Sequence, residues 1–273
     1  MNNLALRALT GAVYVAVIVG ATLAGQPWFC LLMTVFAALA SIEFSQLTEP
    51  RAGGLLPRAI TALTVVATAA TVAAAYVMPG FVSVIAVTYF LLRAVAALYD
   101  RRPAPFMAVG RSLLCYVYIG MPLSLFNLLE SHYARPVVVL MIFVMIWLND
   151  TGAYLVGSAI GRRRLFERLS PKKSWEGFFG GLLFCILAGV AAALWLDTPL
   201  PAWQWVALGI IVCVFSTWGD LFESLLKRNL GVKDSGKLMP GHGGILDRID
   251  SLLFVAPATS LFLLLCVYYY MIS

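Results

Sequence analysis

Residues 8 to 42 pass without one Asp, Glu, Lys or Arg, and the same happens at 59–92, 112–129, 177–196, 198–219 and 251–273. A further window, 136–160, is broken only by Asp150. A hydrocarbon core about 30 Å thick is crossed by roughly 20 apolar residues in a helix. Lipid satisfies no backbone polar group, so a helix is what such a window can form there. "GQPW" divides the first window near Pro27, and "MPGF" divides the second at Pro79 and Gly80, where a turn is expected. Nine spans follow: 8–25, 27–46, 59–78, 81–99, 110–129, 136–160, 175–196, 202–226 and 251–271. The fold class is all-α, a polytopic integral membrane protein. With 62% of residues hydrophobic and 12% charged, against about a quarter charged in a soluble domain, a water-soluble globule is excluded. Arg7 ahead of the first span and small residues behind it suit a signal peptide, but a second span follows at once. A retained helical hairpin is expected.

The positive charges set the orientation. With nine spans and a cytoplasmic N-terminus, the cytoplasmic segments hold seventeen of the nineteen Lys and Arg residues. Arg93, late in the fourth span, is expected to snorkel to the same side, and only Arg135 stays outside. The net charge of +6 is thus mostly topology, suited to anionic lipid headgroups and requiring no nucleic acid. The five cysteines stand singly within apolar runs, with no CxxC or metal-ligand spacing, and read as small buried hydrophobes.

No internal repeat or second soluble domain is visible. Residues 1–135 read as five plain transmembrane helices, and 136–273 as a C-terminal catalytic transmembrane region in which polar residues concentrate. In "WLNDTGAYLVGSAIG", Asp150 lies roughly 21 Å along a helix starting near Pro136. An acid at that depth faces a cavity or a partner, as a functional group or as a polar pin between helices. Gly157 and Gly161 can admit a neighbouring helix. The loop "GRRRLFERLSPKKSWEG" carries Lys172 and Lys173, with Ser170 and Pro171 resembling a helix start and Ser174 opening the next span. Such a loop satisfies the positive-inside bias, and "SPKKS" can equally hold phosphate oxygens through its lysines, hydroxyls and helix-start amides.

In "STWGDLFESLLKR", Asp220, Glu223 and Lys227 share one helical face. A Glu223–Lys227 pair would leave Asp220 without a local partner. Then comes "KDSGKLMPGHGGILDRID", where Lys233, Asp234, several glycines and His242 lead into Asp247, Arg248 and Asp250. His242 suits a phosphate donor, an acid/base group or a loop-shaping hydrogen bond. His132, in an outer loop, reads as solvated. "GVKDSGK" opens like a P-loop, but Leu238 stands where Ser or Thr would bind metal, and no strand precedes it. All four polar clusters are expected at the cytoplasmic level. Carboxylates among cations at one membrane face suit Mg2+ and phosphate groups.

Residues 224 to 250, "SLLKRNLGVKDSGKLMPGHGGILDRID", resemble the signature of the phosphatidate cytidylyltransferases, also called CDP-diacylglycerol synthases. Its positions are filled here by Ser224, Lys227, Arg228, Lys233, Asp234, Pro240, His242, Gly243, Gly244, Asp247, Arg248 and Asp250. "NDTGAY" and "SPKKSWEG" are also similar to family segments; the first 130 residues carry little of the resemblance. The resemblance implies transfer of CMP from CTP to phosphatidic acid, giving CDP-diacylglycerol and pyrophosphate in phospholipid biosynthesis. It implies Mg2+, a monovalent cation such as K+, and a homodimer in a bacterial inner membrane with the site facing the cytoplasm. On that basis the metal ligands are Asp220 and Asp247, with Asp250 as helper. Asp220, Asp247, His242 and Lys233 form the expected catalytic set. Lys172, Lys173, Ser174, Lys227, Arg228, Arg248 and Asp150 form the expected substrate-binding set. A lipid or polyprenol kinase using CTP would release CDP and no pyrophosphate. An ion-coupled transporter would place its acids near mid-membrane between inverted repeats.

Overall fold

Proline and glycine punctuate the apolar runs where the helices break, and the computed structural model shows the resulting architecture over residues 3–49, 54–133, 136–198, 200–236 and 243–272. In order come α1 (Asn3–Leu23), α2 (Gln26–Thr48), α3 (Leu55–Val77), α4 (Phe81–Leu98) and α5 (Pro105–Cys115). A π-helical turn (Tyr116–Gly120) then leads into α6 (Met121–Tyr133). α7 (Pro136–Ile160), β1 (Arg164–Phe166), β2 (Ser170–Ser174), α8 (Trp175–Trp195), α9 (Ala202–Asn229) and α10 (Leu246–Ile272) complete the chain. Among the described residues, eight helices are long and apolar enough to cross a membrane, and a shorter apolar stretch, Ala8–Leu23, matches the first expected span. The window 110–129 falls within one crossing, Pro105–Glu130, built from α5, the π turn and α6. Arg135, His242 and the loop residues 237–241 lie outside the described residues, as does the side chain of His132.

The chain divides into two compact units, Met1–Pro136 with Val232–Ile249, and Val137–Gly231 with Asp250–Ser273. In the first unit α3 packs on α2, α4 and α6. Its buried face is polar for a transmembrane helix: Thr64, Thr68 and Thr71 each return the hydroxyl to the carbonyl four residues back or thereabouts. Thr71 Oγ1 also lies 2.7 Å from the Tyr116 hydroxyl, and Tyr116 stacks on Tyr89 with ring centroids 4.8 Å apart. The π turn begins at Tyr116, an extra residue in the helical winding that accompanies this local re-aiming.

Arg93 departs from the sequence expectation. It does not snorkel: its side chain is wholly buried, with Nε donating to Ser112 Oγ at 2.7 Å. The Ser112 hydroxyl on α5 gives the guanidinium a partner inside the helix bundle. Just after α4, Arg102 grips Asp100 through Nε and NH2 while NH1 reaches Glu49 Oε2 at 2.5 Å. That guanidinium holds the Asp100 carboxyl below the usual carboxylate range.

The second unit packs backbone against backbone. A Cβ at Gly209 would lie 2.6 Å from the Cys185 carbonyl oxygen, and one at Gly189 2.5 Å from that of Trp205, so α8 and α9 touch through glycine. Between α7 and α8 stands a feature absent from the sequence reading: β1 and β2 form an antiparallel hairpin pairing Arg164 with Ser174 and Phe166 with Ser170. Ser170 and Pro171 therefore start a strand, not a helix. Proline disfavours the helical region for the residue before it, which pushes Ser170 into extended backbone. Ser174 does begin α8, its Oγ accepting from Gly177 N at 3.1 Å as an N-cap. All five cysteines are buried and unbridged.

Candidate active site

The second unit holds a cavity of about 610 Å³ where α7, the hairpin, α8 and α9 meet. α7 contributes Asn149, Asp150, Tyr154 and Gly157; the hairpin contributes Arg164, Lys172 and Lys173; α8 contributes Ser174 and Phe178; α9 contributes Thr217 and Asp220. Gly157 lets the hairpin's end approach α7, since a Cβ there would sit 3.3 Å from Ser174 Oγ and 3.4 Å from Gly177 Cα. Glu176 ties the other end, its carboxylate accepting from the backbone amides of Arg162 and Arg163 at 3.1 and 3.2 Å.

Charge is paired across this wall. Lys173 Nζ lies 2.6 Å from Asp220 Oδ2, and Ser224 Oγ donates to Asp220 Oδ1 at 3.3 Å. Asp250 lies within electrostatic reach of Asp220, Asp150 and Lys173. Asp150 is exposed to the cavity, and its neighbour Asn149 is buried, with Nδ2 3.4 Å from Ser216 Oγ. Asp220 thus contacts the Lys173 ammonium directly, with Asp250 within electrostatic reach of that pair and of Asp150.

In the first unit, Asp247 stands in the first turn of α10. Its Oδ2 accepts from Ser235 N and Ser235 Oγ, both at 2.9 Å, and from Gly244 N at 2.8 Å. Gly243 has φ +80°, a conformation that a side chain would strain, so the chain can turn there into α10. Arg248 is exposed, and its carbonyl accepts from the Tyr14 hydroxyl at 3.0 Å. Lys233 is exposed.

A profile of the cytidylyltransferase family matches residues 5–266. The chain belongs to the cytidylyltransferase family. It is 40% identical over 159 residues to a phosphatidate cytidylyltransferase of Staphylococcus epidermidis, a match covering 58% of this chain and 60% of the relative. A protein of the same description from Staphylococcus haemolyticus is 37% identical over 185 residues, 67% of this chain and 68% of the relative. One from Staphylococcus aureus is 40% identical over 162 residues, with 58% and 60% covered. The chain therefore spans about 60% of the length of the first of these curated relatives.

For this cytidylyltransferase-family chain, the structure brings together Asp150, Lys172, Lys173, Ser174, Asp220 and Asp250 within the second unit. Lys227 is drawn to Glu223, 2.5 Å away, whose side chain is 1% exposed. Arg228 is exposed in the last turn of α9. Lys233, Asp247 and Arg248 belong to the first unit, and His242 lies outside the described residues. Among the described residues, no group of three or more His, Cys, Asp or Glu forms a metal cage. Mg2+ needs none, because it commonly takes one or two protein carboxylates and completes its shell with water and phosphate. Asp220, with Asp250 in its electrostatic field, fits the one or two protein carboxylates such a cation takes.

The sequence reading missed Glu43. It sits in α2, inside an expected plain span, and its carboxylate accepts from Ile245 N at 2.9 Å, Leu246 N at 3.0 Å and Ser235 Oγ at 3.3 Å. A signal existed: Glu43 is the first charge after Arg7, set within an apolar helix. An acid buried at that depth demands partners.

Proposed function

We propose that the chain is a CTP:phosphatidate cytidylyltransferase, transferring CMP from CTP to phosphatidic acid and releasing pyrophosphate. The observation that carries this reading is the Lys173–Asp220 pair lining a cavity that also holds Asp150, Lys172 and Arg164. A phosphatidate oxygen forms the new bond to the α-phosphorus of CTP, and the α–β bridging P–O bond breaks. Two anions must meet for this, so Lys172, Lys173 and Arg164, which line the cavity, offset their charge. Asp220 and Asp250 would hold Mg2+, with Asp150 nearby; Asp247 is the signature's further carboxylate, and K+ a second cation. When bound, Mg2+ supplies charge neutralisation for the departing pyrophosphate.

The membrane supplies one substrate and water the other. The basic hairpin, with Arg162, Arg163, Arg164 and Arg168 exposed, belongs on the cytoplasmic side under the positive-inside bias. This bias supports a reading in which the cavity opens at the cytoplasmic face of a bacterial inner membrane; a homodimer is what the family resemblance implies.

The test is purified protein with labelled CTP and phosphatidate, with and without Mg2+. Labelled CDP-diacylglycerol with matching pyrophosphate, dependent on Mg2+, is expected. Release of CDP without pyrophosphate would make the chain a kinase instead, and no turnover at all would remove the reading.

A further inference from the structure

The start of α10, which carries the end of the signature, is held from a distant helix. Glu43 stands in α2 about two hundred residues earlier in the chain, yet its side chain contacts both flanks of residues 237–242. On the near flank it meets Ser235, and on the far flank the amides of Ile245 and Leu246. Leu246 opens α10, so these are the amides that a helix start leaves without an intrahelical acceptor. A carboxylate at that position also sits favourably in the field of the helix.

The fit is close. A Cβ at Gly236 would lie 2.6 Å from Glu43 Oε1, and one at Gly244 would fall on Oε2. Glu43 is 6% exposed and, among the described residues, forms no ion pair. Its described partners are N–H and O–H groups. Ser235 then links two carboxylates, its hydroxyl lying 2.9 Å from Asp247 Oδ2 and 3.3 Å from Glu43 Oε2. Gly244 N donates to the same Asp247 oxygen. The described donors to Asp247, Ser235 and Gly244, are thus in contact with Glu43 or adjacent in the chain to an amide that it accepts from.

We infer that Glu43 is a positioning residue: through Ser235 and the amides of Ile245 and Leu246 it fixes the first turn of α10, and with it Asp247, for the transfer reaction. It touches no substrate. This rests on the cytidylyltransferase reading above.

The experiment compares Glu43→Gln, Gly244→Ala and their combination in the full chain, with Glu130→Gln as a second buried carboxylate of the same unit. The readouts are kcat, KM for CTP, Tm, and amide exchange at residues 243–247. Glu43→Gln keeps the shape but turns an NH2 group toward donors. It is expected to lower kcat roughly 10- to 100-fold with KM little changed. Exchange at Ile245 and Leu246 should speed up while α2 and α3 stay protected. Gly244→Ala should act similarly, and the double variant should lose little more. Glu130→Gln should leave kcat and the 243–247 amides as in the wild type. Wild-type kcat in Glu43→Gln would overturn the inference, as would a loss of kcat matched by lost protection throughout α2 and α3. If the wild-type chain makes no CDP-diacylglycerol, the functional reading falls, while unchanged exchange at 245–246 would separately overturn the hold by Glu43.

Discussion

Lys173 Nζ and Asp220 Oδ2 stand 2.6 Å apart, so the hairpin between α7 and α8 is tied by charge to α9. The two side chains are 27% and 39% exposed, and pairs so accessible contribute at most about 1 kcal/mol to stability. Lys173→Met should therefore leave Tm nearly unchanged. Its effect should fall on the reaction, where one lost cation beside developing phosphate charge costs roughly 10²–10³ in kcat. Pyrophosphate release and a thermal melt on the same preparation check both halves.

Asp250 lies in the electrostatic field of Asp220 and Asp150, while the ion pair to the hairpin lysine is made by Asp220. Asp250→Asn is expected to raise the Mg2+ concentration giving half-maximal rate by at least about tenfold. Chelation should silence the wild type, and added Mg2+ should restore it. A titration of rate against Mg2+ for both proteins decides the point.

Gly181 separates a packing glycine from an idle one. A Cβ there would stand 2.4 Å from Asn149 Oδ1 and 2.9 Å from the Asn149 carbonyl, with backbone that cannot yield. Gly181→Ala should destabilise by about 1–3 kcal/mol, seen as a lower Tm in detergent. Gly110 has nothing within 4 Å of its own added Cβ. Gly110→Ala, inside α5, should be neutral or stabilising by up to about 1 kcal/mol.

Asp100 gives a pH signature. Its carboxyl is held low chiefly by the Arg102 hydrogen bonds, so the folded state binds the proton less readily than the unfolded chain, where the carboxyl titrates near 3.9. The stabilisation is present above that unfolded value and is lost as pH falls through the lower folded value. Asp100→Asn should lower Tm at neutral pH, and the gap from wild type should close as melts are taken into the acid range below about pH 4.

The helical scaffold was legible because lipid leaves so few options: a long charge-free window bounded by Pro or Gly has one solution. The meeting of Asp220 with "SPKKS" was legible only as a shared level, since Asp220 had no cation one helical turn away and Lys173 reaches it from the hairpin. The hairpin itself was hidden, because five residues of "SPKKS" carry no alternating apolar pattern and its partner strand is three residues long. Arg93 misled in the opposite way. A long cation near a helix end normally reaches for water, and only the three-dimensional placement of Ser112 turns it inward. Glu43 was obscured by the same habit of reading a span as an uninterrupted apolar cylinder.

The wide turn at Tyr116–Gly120 gives its crossing a tolerance that the other helices lack. An α-helix that loses one residue rotates everything beyond the cut by roughly 100°. The π turn already holds one residue more than an α-helical path needs. Removing one residue within 116–120 can tighten that turn to α geometry and keep Asn127, whose Nδ2 donates to the Val72 carbonyl at 2.9 Å, in phase with α3. The same deletion in α3 would turn Thr71 away from its tyrosine. A length change that is ruinous in one span is thus absorbed in another, and single-residue length variation within this fold has a natural home there.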